Sequence, residues 1–262
     1  MIHPQLLNIP PIKSNFTISI DRTTWSFGKL TINILTAGIV YQGVAFPICW
    51  ILLPKKGNSN TGERIQLMER VLKLVDKNLI QVIVADREFI GQEWFAWLDA
   101  QALGFAIRVK ENAKTLNGKG DIALRCLFAD LHIHQERILR KPRLIYGHHL
   151  FLSVIRLPDE FLIVASKCKG RKPLEDYKKR WGIEVLFAAL KSRGFDLEQT
   201  HLIHLERIEK LIALLAIALT WAHLVGEWIA KTKPLKIKKH GCKEKSLFRQ
   251  NMIRLKIGSD SK

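Results

Sequence analysis

The sequence predicts a mixed α/β fold, in which helices flank a sheet that contains both antiparallel and parallel strands. Early in the chain, short segments that alternate apolar and polar residues are separated by turn residues, which is typical of an antiparallel meander. A continuous apolar run then follows a segment with helical spacing, as expected for a strand buried on both faces. The resulting order over residues 1–109 is β-β-β-α-β-α-β. This order predicts a mixed sheet with helices on its faces.

The first three strands form the predicted meander. Residues 16–21 alternate apolar and polar side chains and bring Asp21 to the end of the first strand. Residues 30–40 and 44–53 form the next two strands, and the segment between them contains the turn residue Gly43.

The following segments alternate helix and strand. Apolar spacing predicts helices over residues 63–74 and 90–102. Between them, residues 79–85 form the buried apolar strand, which ends at Asp86, and residues 105–109 form a fifth strand. Acidic residues therefore follow the first and the fourth predicted strands.

The predicted domain organisation rests on a change of pattern after the fifth strand. Residues 110–171 contain turn residues, basic pairs and two strand-like runs, which we interpret as an inserted β-rich subdomain. We assign residues 1–109 and 172–231 to the core, and the lysine-rich residues 232–262 to a basic tail that contacts phosphates. The nearly uncharged stretch of the predicted helix over residues 204–231 is shorter than the ~20 residues that span a bilayer. We therefore expect a helix buried in protein and no membrane partner.

The charge of the chain implies an anionic partner. Lys and Arg number 42 against 24 Asp and Glu, which leaves a formal net charge of +18. Nucleic acid is the commonest partner of such a protein, with acidic membrane and acidic protein as alternatives. The four cysteines form no CxxC pair and predict neither a zinc site nor a disulfide framework. Without an N-terminal secretion signal, we expect a cytoplasmic protein.

A helix predicted over residues 177–191 carries the most informative polar pattern. Plotted at ~100° per residue, four polar side chains fall within a sector of roughly 60°: Tyr177, Arg180, Glu184 and Lys191. Three apolar residues lie on the opposite side and predict a core-facing stripe: Ile183, Leu186 and Leu190. Taken alone, the polar face is more typical of a solvated helix surface with charge pairs than of a functional site.

The two strand-end aspartates give this polar face a chemical interpretation. Transfer or hydrolysis of a phosphodiester at neutral pH is catalysed by two Mg²⁺ ions ~3.5–4 Å apart, and Mg²⁺ prefers carboxylate oxygens. If the first and fourth strands adjoin, Asp21 and Asp86 lie side by side, and a helix across their ends brings Glu184 alongside. Singly, each aspartate is a common strand-end residue. Together with Glu184 they favour a metal site.

With these residues in place, the chain resembles an insertion-sequence transposase of the DDE type, in the group marked by a Tyr-x2-Arg-x3-Glu-x6-Lys helix. That motif is matched at every spacing by Tyr177, Arg180, Glu184 and Lys191. Supporting matches surround Asp21 and Asp86, each of which is followed by arginine. The resemblance implies an RNase H-like mixed sheet with flanking helices and a β-rich insertion before the last catalytic helix.

The resemblance also implies the roles of individual residues. Asp21, Asp86 and Glu184 are expected to be catalytic and to hold two Mg²⁺ ions, for which Mn²⁺ can substitute. Four further residues are expected to contact DNA: Tyr177, Arg180, Lys191 and Arg87. The implied activity is metal-dependent DNA cleavage and strand transfer in cut-and-paste transposition of an insertion element. The implied partners are transposon ends, target DNA and a second copy of the chain, at the nucleoid of a bacterium or archaeon.

Two alternative functions stay open at this stage. Relatives usually carry an N-terminal domain that binds the transposon ends, whereas only 20 residues precede Asp21 here. This difference motivates the hypothesis of a non-catalytic regulator that binds DNA or full-length transposase. The other alternative is a metal nuclease unrelated to transposition, which the complete helix motif argues against.

Overall fold

The computed structural model describes residues 15–27, 30–116, 120–167, 172–193, 195 and 197–232. The predicted basic tail lies outside these residues from position 233 onward. The strands are β1 (Phe16–Phe27), β2 (Leu30–Tyr41), β3 (Val44–Leu53), β4 (Ile80–Ala85), β5 (Phe105–Val109), β6 (Lys114–Leu116), β7 (Asp121–Ala123), β8 (Glu136–Ile138), β9 (Arg143–Ile145), β10 (His148–Arg156) and β11 (Phe161–Ser166). The α-helices are α1 (Thr61–Leu74), α2 (Gln92–Ala100), α3 (Pro173–Lys178), α4 (Trp181–Ala188) and α5 (Leu205–Thr232).

One large mixed sheet forms the centre of the described structure. Its strand order is β3-β2-β1-β4-β5-β11-β10-β8, with β9 paired to β10. The meander β1–β2–β3 is antiparallel, whereas β4 runs parallel to β1 and β5 parallel to β4. The predicted RNase H-like mixed sheet with flanking helices is therefore confirmed.

The strands of the predicted insertion continue this sheet. β11 pairs antiparallel with β5, and β10 pairs antiparallel with β11. A separate two-stranded sheet, β6–β7, precedes them. Although the chain leaves the core pattern after residue 109, part of the β-rich segment therefore extends the core sheet at its β5 edge.

The two faces of the sheet are covered by different helices. Along β4, Ile83 and Ala85 join the main hydrophobic core, while Val82 and Val84 join a smaller cluster on the other face. Helix α3 contacts β4, β5 and β11 and contributes Leu174 to the smaller cluster. Helices α1, α4 and α5 contact β3 on the side of the main core. The chain therefore changes faces between α3 and α4.

This change of face corrects one sequence prediction. Residues 177–191 do not form a single helix, because α3 ends at Lys178, α4 begins at Trp181, and a π turn follows at Ala189–Arg193. At the junction, the amides of Arg180, Gly182 and Ile183 each donate to a carbonyl three residues earlier. Such bonds tighten the backbone relative to an α-helix. The angular positions predicted for one regular helix therefore do not apply across it.

Helix α5 buries one side against the core. Its inward residues include Ile208, Ile212, Ala216 and Leu219, at the spacing of one helix face. By length and composition, the segment Leu205–Lys231 is long and apolar enough to cross a membrane. In this structure the helix packs on β3 through the buried face.

Candidate active site

Two of the predicted acidic residues lie side by side because of the sheet topology. In the parallel pair β1–β4, Ile20 is the register partner of Ala85. Asp21 directly follows Ile20, and Asp86 directly follows Ala85. The two aspartates therefore lie next to each other at the end of the β1–β4 pairing. The β4 strand ends at that point, whereas β1 continues to Phe27. The prediction that the first strand ends at Asp21 is therefore wrong, because pairing with β2 extends β1 beyond this residue. Strand pairing alone thus brings two carboxylates from distant parts of the sequence to one place.

The third acidic residue is joined to this pair by an arginine. Arg180 Nη1 donates to Asp21 Oδ2 at 3.1 Å, and Arg180 Nη2 donates to Glu184 Oε1. The arginine side chain is 13% exposed, and that of Glu184 is 35% exposed. One guanidinium therefore bridges two of the three predicted metal ligands.

A glycine allows α4 to approach the sheet closely enough for this bridge. A Cβ at position 182 would lie 3.1 Å from the backbone nitrogen of Ala45 and 3.2 Å from the carbonyl carbon of Val44. Ile183 and Leu186, on the same helix, are fully buried in the main core. The close contact at Gly182 and the burial of its neighbours determine where Glu184 lies.

Tyr177 is positioned differently from the sequence prediction. We expected it on a solvent-facing or groove-facing helix surface, but its side chain is 7% exposed and packs in the smaller cluster with Val82 and Val84. Its hydroxyl donates to Asp86 Oδ1 at 3.2 Å. Burial raises the pKa of Tyr177 to about 12, so the phenol keeps its proton and remains a donor at neutral pH.

The position of Asp21 in the fold perturbs its carboxyl group. Burial raises the pKa of Asp21 from 3.8 to about 6, although the amide of Arg22 and the guanidinium of Arg180 oppose this effect. The amide of Arg22 donates to Asp21 Oδ1 at 2.7 Å. The aspartate is therefore ionised at neutral pH, but in a poorly solvated position that favours binding of a cation.

The remaining predicted DNA-contacting residues border the acidic group. Lys191 Nζ donates to the carbonyl of Thr24 on β1 at 2.6 Å. Arg87, directly after Asp86, lies with its Nη1 3.8 Å from Glu160 Oε2 and has a 56% exposed side chain. Nearby, Trp181 is 65% exposed at the start of α4, whereas Trp25 on β1 is buried.

A network around Glu88 supports the site and was not predicted. Glu88 accepts hydrogen bonds from Arg22 Nε at 3.1 Å and from the amide and hydroxyl of Ser59, both at 3.0 Å. Burial opposes ionisation, but the hydrogen bonds from Arg22 and Ser59 outweigh it and lower the pKa of Glu88. Ser59 in turn accepts from the buried Arg64. The available signal was the acidic residue two positions after Asp86.

The three carboxylates of the site are ligands of the type that bind divalent cations. Asp21 and Asp86 supply adjacent carboxylates, and Glu184 a third that shares the Arg180 cation with Asp21. Oxygen ligands of this kind are those that Mg²⁺ and Mn²⁺ prefer. Within the described ranges, no three Asp, Glu, His or Cys side chains are grouped closely enough to hold an ion together. The guanidinium of Arg180 holds Asp21 and Glu184 as a pair instead.

Comparison with known proteins identifies the family. A sequence model of the family described as "Transposase DDE domain" matches residues 17–221. The chain belongs to the DDE transposase family. The match begins on β1 before Asp21 and includes all three acidic residues.

The solved structure of endonuclease V from Bacillus subtilis is similar over 68% of this chain and 78% of its own, at 10% sequence identity and a TM-score of 0.32. A search of the curated proteins found no significant match. Membership of the transposase family thus rests on the family match, and the mixed-sheet fold on the strand order itself.

Proposed function

We propose that this transposase cleaves DNA and transfers the cut strand in cut-and-paste movement of an insertion element, and that Asp21, Asp86 and Glu184 form its catalytic centre. The observation that carries the proposal is the arrangement of the three carboxylates around Arg180 and the β1–β4 strand pair. Strand pairing places Asp21 next to Asp86, and Arg180 donates hydrogen bonds to both Asp21 and Glu184. The family match supports chemistry on DNA.

The three acids would hold the divalent ions of the family. When bound, two Mg²⁺ ions supply activation of the attacking oxygen and neutralisation of the leaving oxygen. Asp21 would be suited to hold a divalent cation, because burial disfavours its isolated negative charge. Tyr177 donates a hydrogen bond to Asp86 and so fixes the orientation of that carboxylate.

The basic groups bind and orient the DNA backbone. Arg180 presents a planar guanidinium, which suits a phosphate as well as a carboxylate. Lys191 lies beside the end of β1, and Arg87 is more than half exposed after Asp86. In the presence of DNA, we expect phosphate to take over part of the pairing that Arg180 makes with Asp21 and Glu184. The net charge of +18 supports binding to DNA over many phosphates, at the nucleoid of a bacterium or archaeon.

The proposal is tested with purified full-length protein, Mg²⁺ or Mn²⁺, and a supercoiled plasmid that carries the genomic DNA from both sides of the gene. We expect nicked and linear plasmid with the wild type. Glu184→Gln removes the charge of the third ligand and should abolish nicking while plasmid binding persists. The matched control is Glu175→Gln, since Glu175 lies on α3 with a 61% exposed side chain. That variant should nick as the wild type does.

Two outcomes would overturn the proposal. If the wild type binds the plasmid but never nicks it, the protein acts as a non-catalytic regulator of transposition. If Glu184→Gln nicks as fast as the wild type, the cleavage has another active site or a contaminating source.

A further inference from the structure

The segment between β3 and α1 borders the active site but has no part in the proposed function. It comprises residues 54–60, which we call the β3–α1 loop. Three consecutive residues of this loop are exposed, namely Lys56, Gly57 and Asn58. A Cβ added at Gly57, where φ is 86°, would meet no atom of the described chain within 4 Å. The outer side of the loop is therefore open to a partner.

Hydrogen bonds from the protein interior fix the shape of this loop. Asn33 is fully buried, and its side-chain amide donates to the carbonyls of Lys55 and Gly57, at 2.5 and 3.0 Å. At the end of the loop, the amide and hydroxyl of Ser59 donate to Glu88. Buried polar groups are tolerated when they are paired in this way. The exposed residues of the loop are therefore presented from a backbone that is held in place.

Arg22 connects the loop to the acidic group, because it directly follows Asp21 and its Nη2 donates to Asn58 Oδ1 at 3.1 Å. The five N–H donors of its guanidinium are all used within the protein. Their acceptors are the side chains of Thr24, Asn33, Asn58 and Glu88. Arg22 therefore has no donor left for a phosphate, and it holds the loop instead.

Lys56 is the exposed cation that this loop presents. Its neighbour Lys55 donates to Glu63 at 2.8 Å, whereas Lys56 makes no ion pair with any residue that the structure describes. An exposed lysine is common on any protein surface, so its position decides the interpretation. At the edge of a site for DNA, an ammonium group of this kind binds phosphate as a point charge.

The position of Lys56 continues the basic surface of the helix motif. Thr24 lies between the two regions, since its carbonyl accepts from Lys191 at 2.6 Å and its hydroxyl donates to Asn33 Oδ1 at 2.8 Å. Asn33 in turn holds the β3–α1 loop. Lys191 and the loop therefore flank the same residue of β1. Cations placed along one edge suit the phosphates of a DNA strand, which recur every ~3.4 Å along the helix axis.

We propose that Lys56 binds a backbone phosphate of DNA that lies across the acidic group, and that Asn33 and Arg22 are positioning residues for this contact. A phosphate contact adds affinity without a preference for base sequence. The inference rests on the proposed function, because it requires DNA on the acidic group. Binding is measured without cleavage, so the two proposals can fail separately.

The test is fluorescence anisotropy with a labelled DNA duplex of mixed sequence, over a range of salt concentrations in Mg²⁺. The full-length protein carries Glu184→Gln so that the duplex stays intact. Adding Lys56→Ala should raise the dissociation constant about three- to tenfold and reduce the slope of its salt dependence by about one. The melting temperature should not change, because Lys56 makes no ion pair within the described structure.

The matched control is Lys73→Ala, which removes the same charge from the exposed last turn of α1, at the end of the helix away from the loop. Both variants lower the net charge equally, so a general effect of charge would weaken binding equally in both. We expect Lys73→Ala to leave the dissociation constant and the salt slope nearly unchanged. Lys56→Arg keeps the charge and should bind as tightly as lysine.

The positioning role is tested by combining variants. Asn33→Asp removes the two donors that hold the loop and keeps an acceptor for Arg22. It should weaken DNA binding when Lys56 is present and add little to the effect of Lys56→Ala. Should Asn33→Asp fail to fold, the comparison of Lys56→Ala with Lys73→Ala still decides the proposal.

Equal effects of Lys56→Ala and Lys73→Ala, or no effect of either, would overturn the proposal and make the loop a structural support of the Arg22–Glu88 network. A protein that does not bind the duplex would overturn it together with the proposed function. If the wild type never nicks plasmid but Lys56→Ala still weakens binding selectively, the proposed function fails and this inference stands.

Discussion

Replacing Asp21 by asparagine should stabilise the metal-free protein at neutral pH. The side chain is 18% exposed, and burial raises its pKa from 3.8 to about 6. The difference between those pKa values corresponds to about 3 kcal/mol. Because the pKa of Asp21 is higher in the folded state than in the unfolded state, folding favours the protonated carboxyl. The associated stability is complete below pH 3.8 and is lost as the pH rises through about 6.

The asparagine side chain has nearly the same shape and carries no charge. Asp21→Asn should therefore raise the free energy of unfolding by up to about 3 kcal/mol at neutral pH in EDTA. The advantage should shrink toward zero in acid, where the wild-type carboxyl is protonated. The assay is urea unfolding followed by circular dichroism, with both proteins measured at each pH. Asp121→Asn, at the exposed first position of β7, is the control and should change stability by less than about 0.5 kcal/mol.

Divalent cations should make the wild type more stable than Asp21→Asn. A ligand that binds only the folded state stabilises it according to its concentration and affinity. Mg²⁺ or Mn²⁺ should therefore stabilise the wild type and have little effect on Asp21→Asn. If Asp21→Asn is less stable than the wild type at neutral pH in EDTA, the reasoning about the buried charge is refuted.

The remaining predictions concern the groups that support the site. Gly182→Ala should destabilise the protein by about 1–3 kcal/mol, because the new methyl group would meet the backbone at Ala45; thermal unfolding measures this loss. Glu88→Gln should cost about 2 kcal/mol at neutral pH by weakening the anchor of Arg22, and the cost should shrink in acid, where wild-type Glu88 is also neutral. Tyr177→Phe should raise the Mg²⁺ concentration for half-maximal nicking about tenfold while the melting temperature changes little.

Each of these variants has a matched control in the chain. Gly62→Ala lies in α1 with no contact closer than 3.4 Å to the added methyl group, and should not destabilise the protein. Glu69→Gln removes an exposed acid of α1, and Tyr146→Phe removes a phenol from the β-rich segment. If Glu69→Gln lost as much stability as Glu88→Gln, the loss would not be specific to the site. The same holds if Tyr146→Phe raised the Mg²⁺ requirement as much as Tyr177→Phe.

Local pattern was sufficient to predict that β1 and β4 form, although not that β1 continues past Asp21 to Phe27. The alternation in β1, the turn at Gly43 with its φ of 79°, and the apolar run of β4 all follow from neighbouring residues. The adjacency of Asp21 and Asp86 required only the further assumption that β1 and β4 pair, which the register confirms. Periodicity also correctly assigned Ile183 and Leu186 to the core.

Tertiary contacts determined what local pattern could not predict. The break between α3 and α4 exists because the chain must pass from one face of the sheet to the other. Gly182, two residues after Arg180, is compatible with such a break but does not require one. The burial of Tyr177 follows from the same crossing. Likewise, the pairing of Arg22 with Glu88 joins residues 66 positions apart. A regular helical projection of the sequence cannot predict the α3–α4 break, the burial of Tyr177 or the pairing of Arg22 with Glu88.

The central claim is that Asp21, Asp86 and Glu184 together hold divalent cations for chemistry on DNA. Its most direct test is equilibrium binding of Mn²⁺, measured by electron paramagnetic resonance on the full-length protein with and without duplex DNA. We predict that the wild type binds Mn²⁺ more tightly with DNA present, and that Asp21→Asn, Asp86→Asn and Glu184→Gln each weaken binding at least about tenfold. Mn²⁺ binding that is equal in all four proteins would contradict the account.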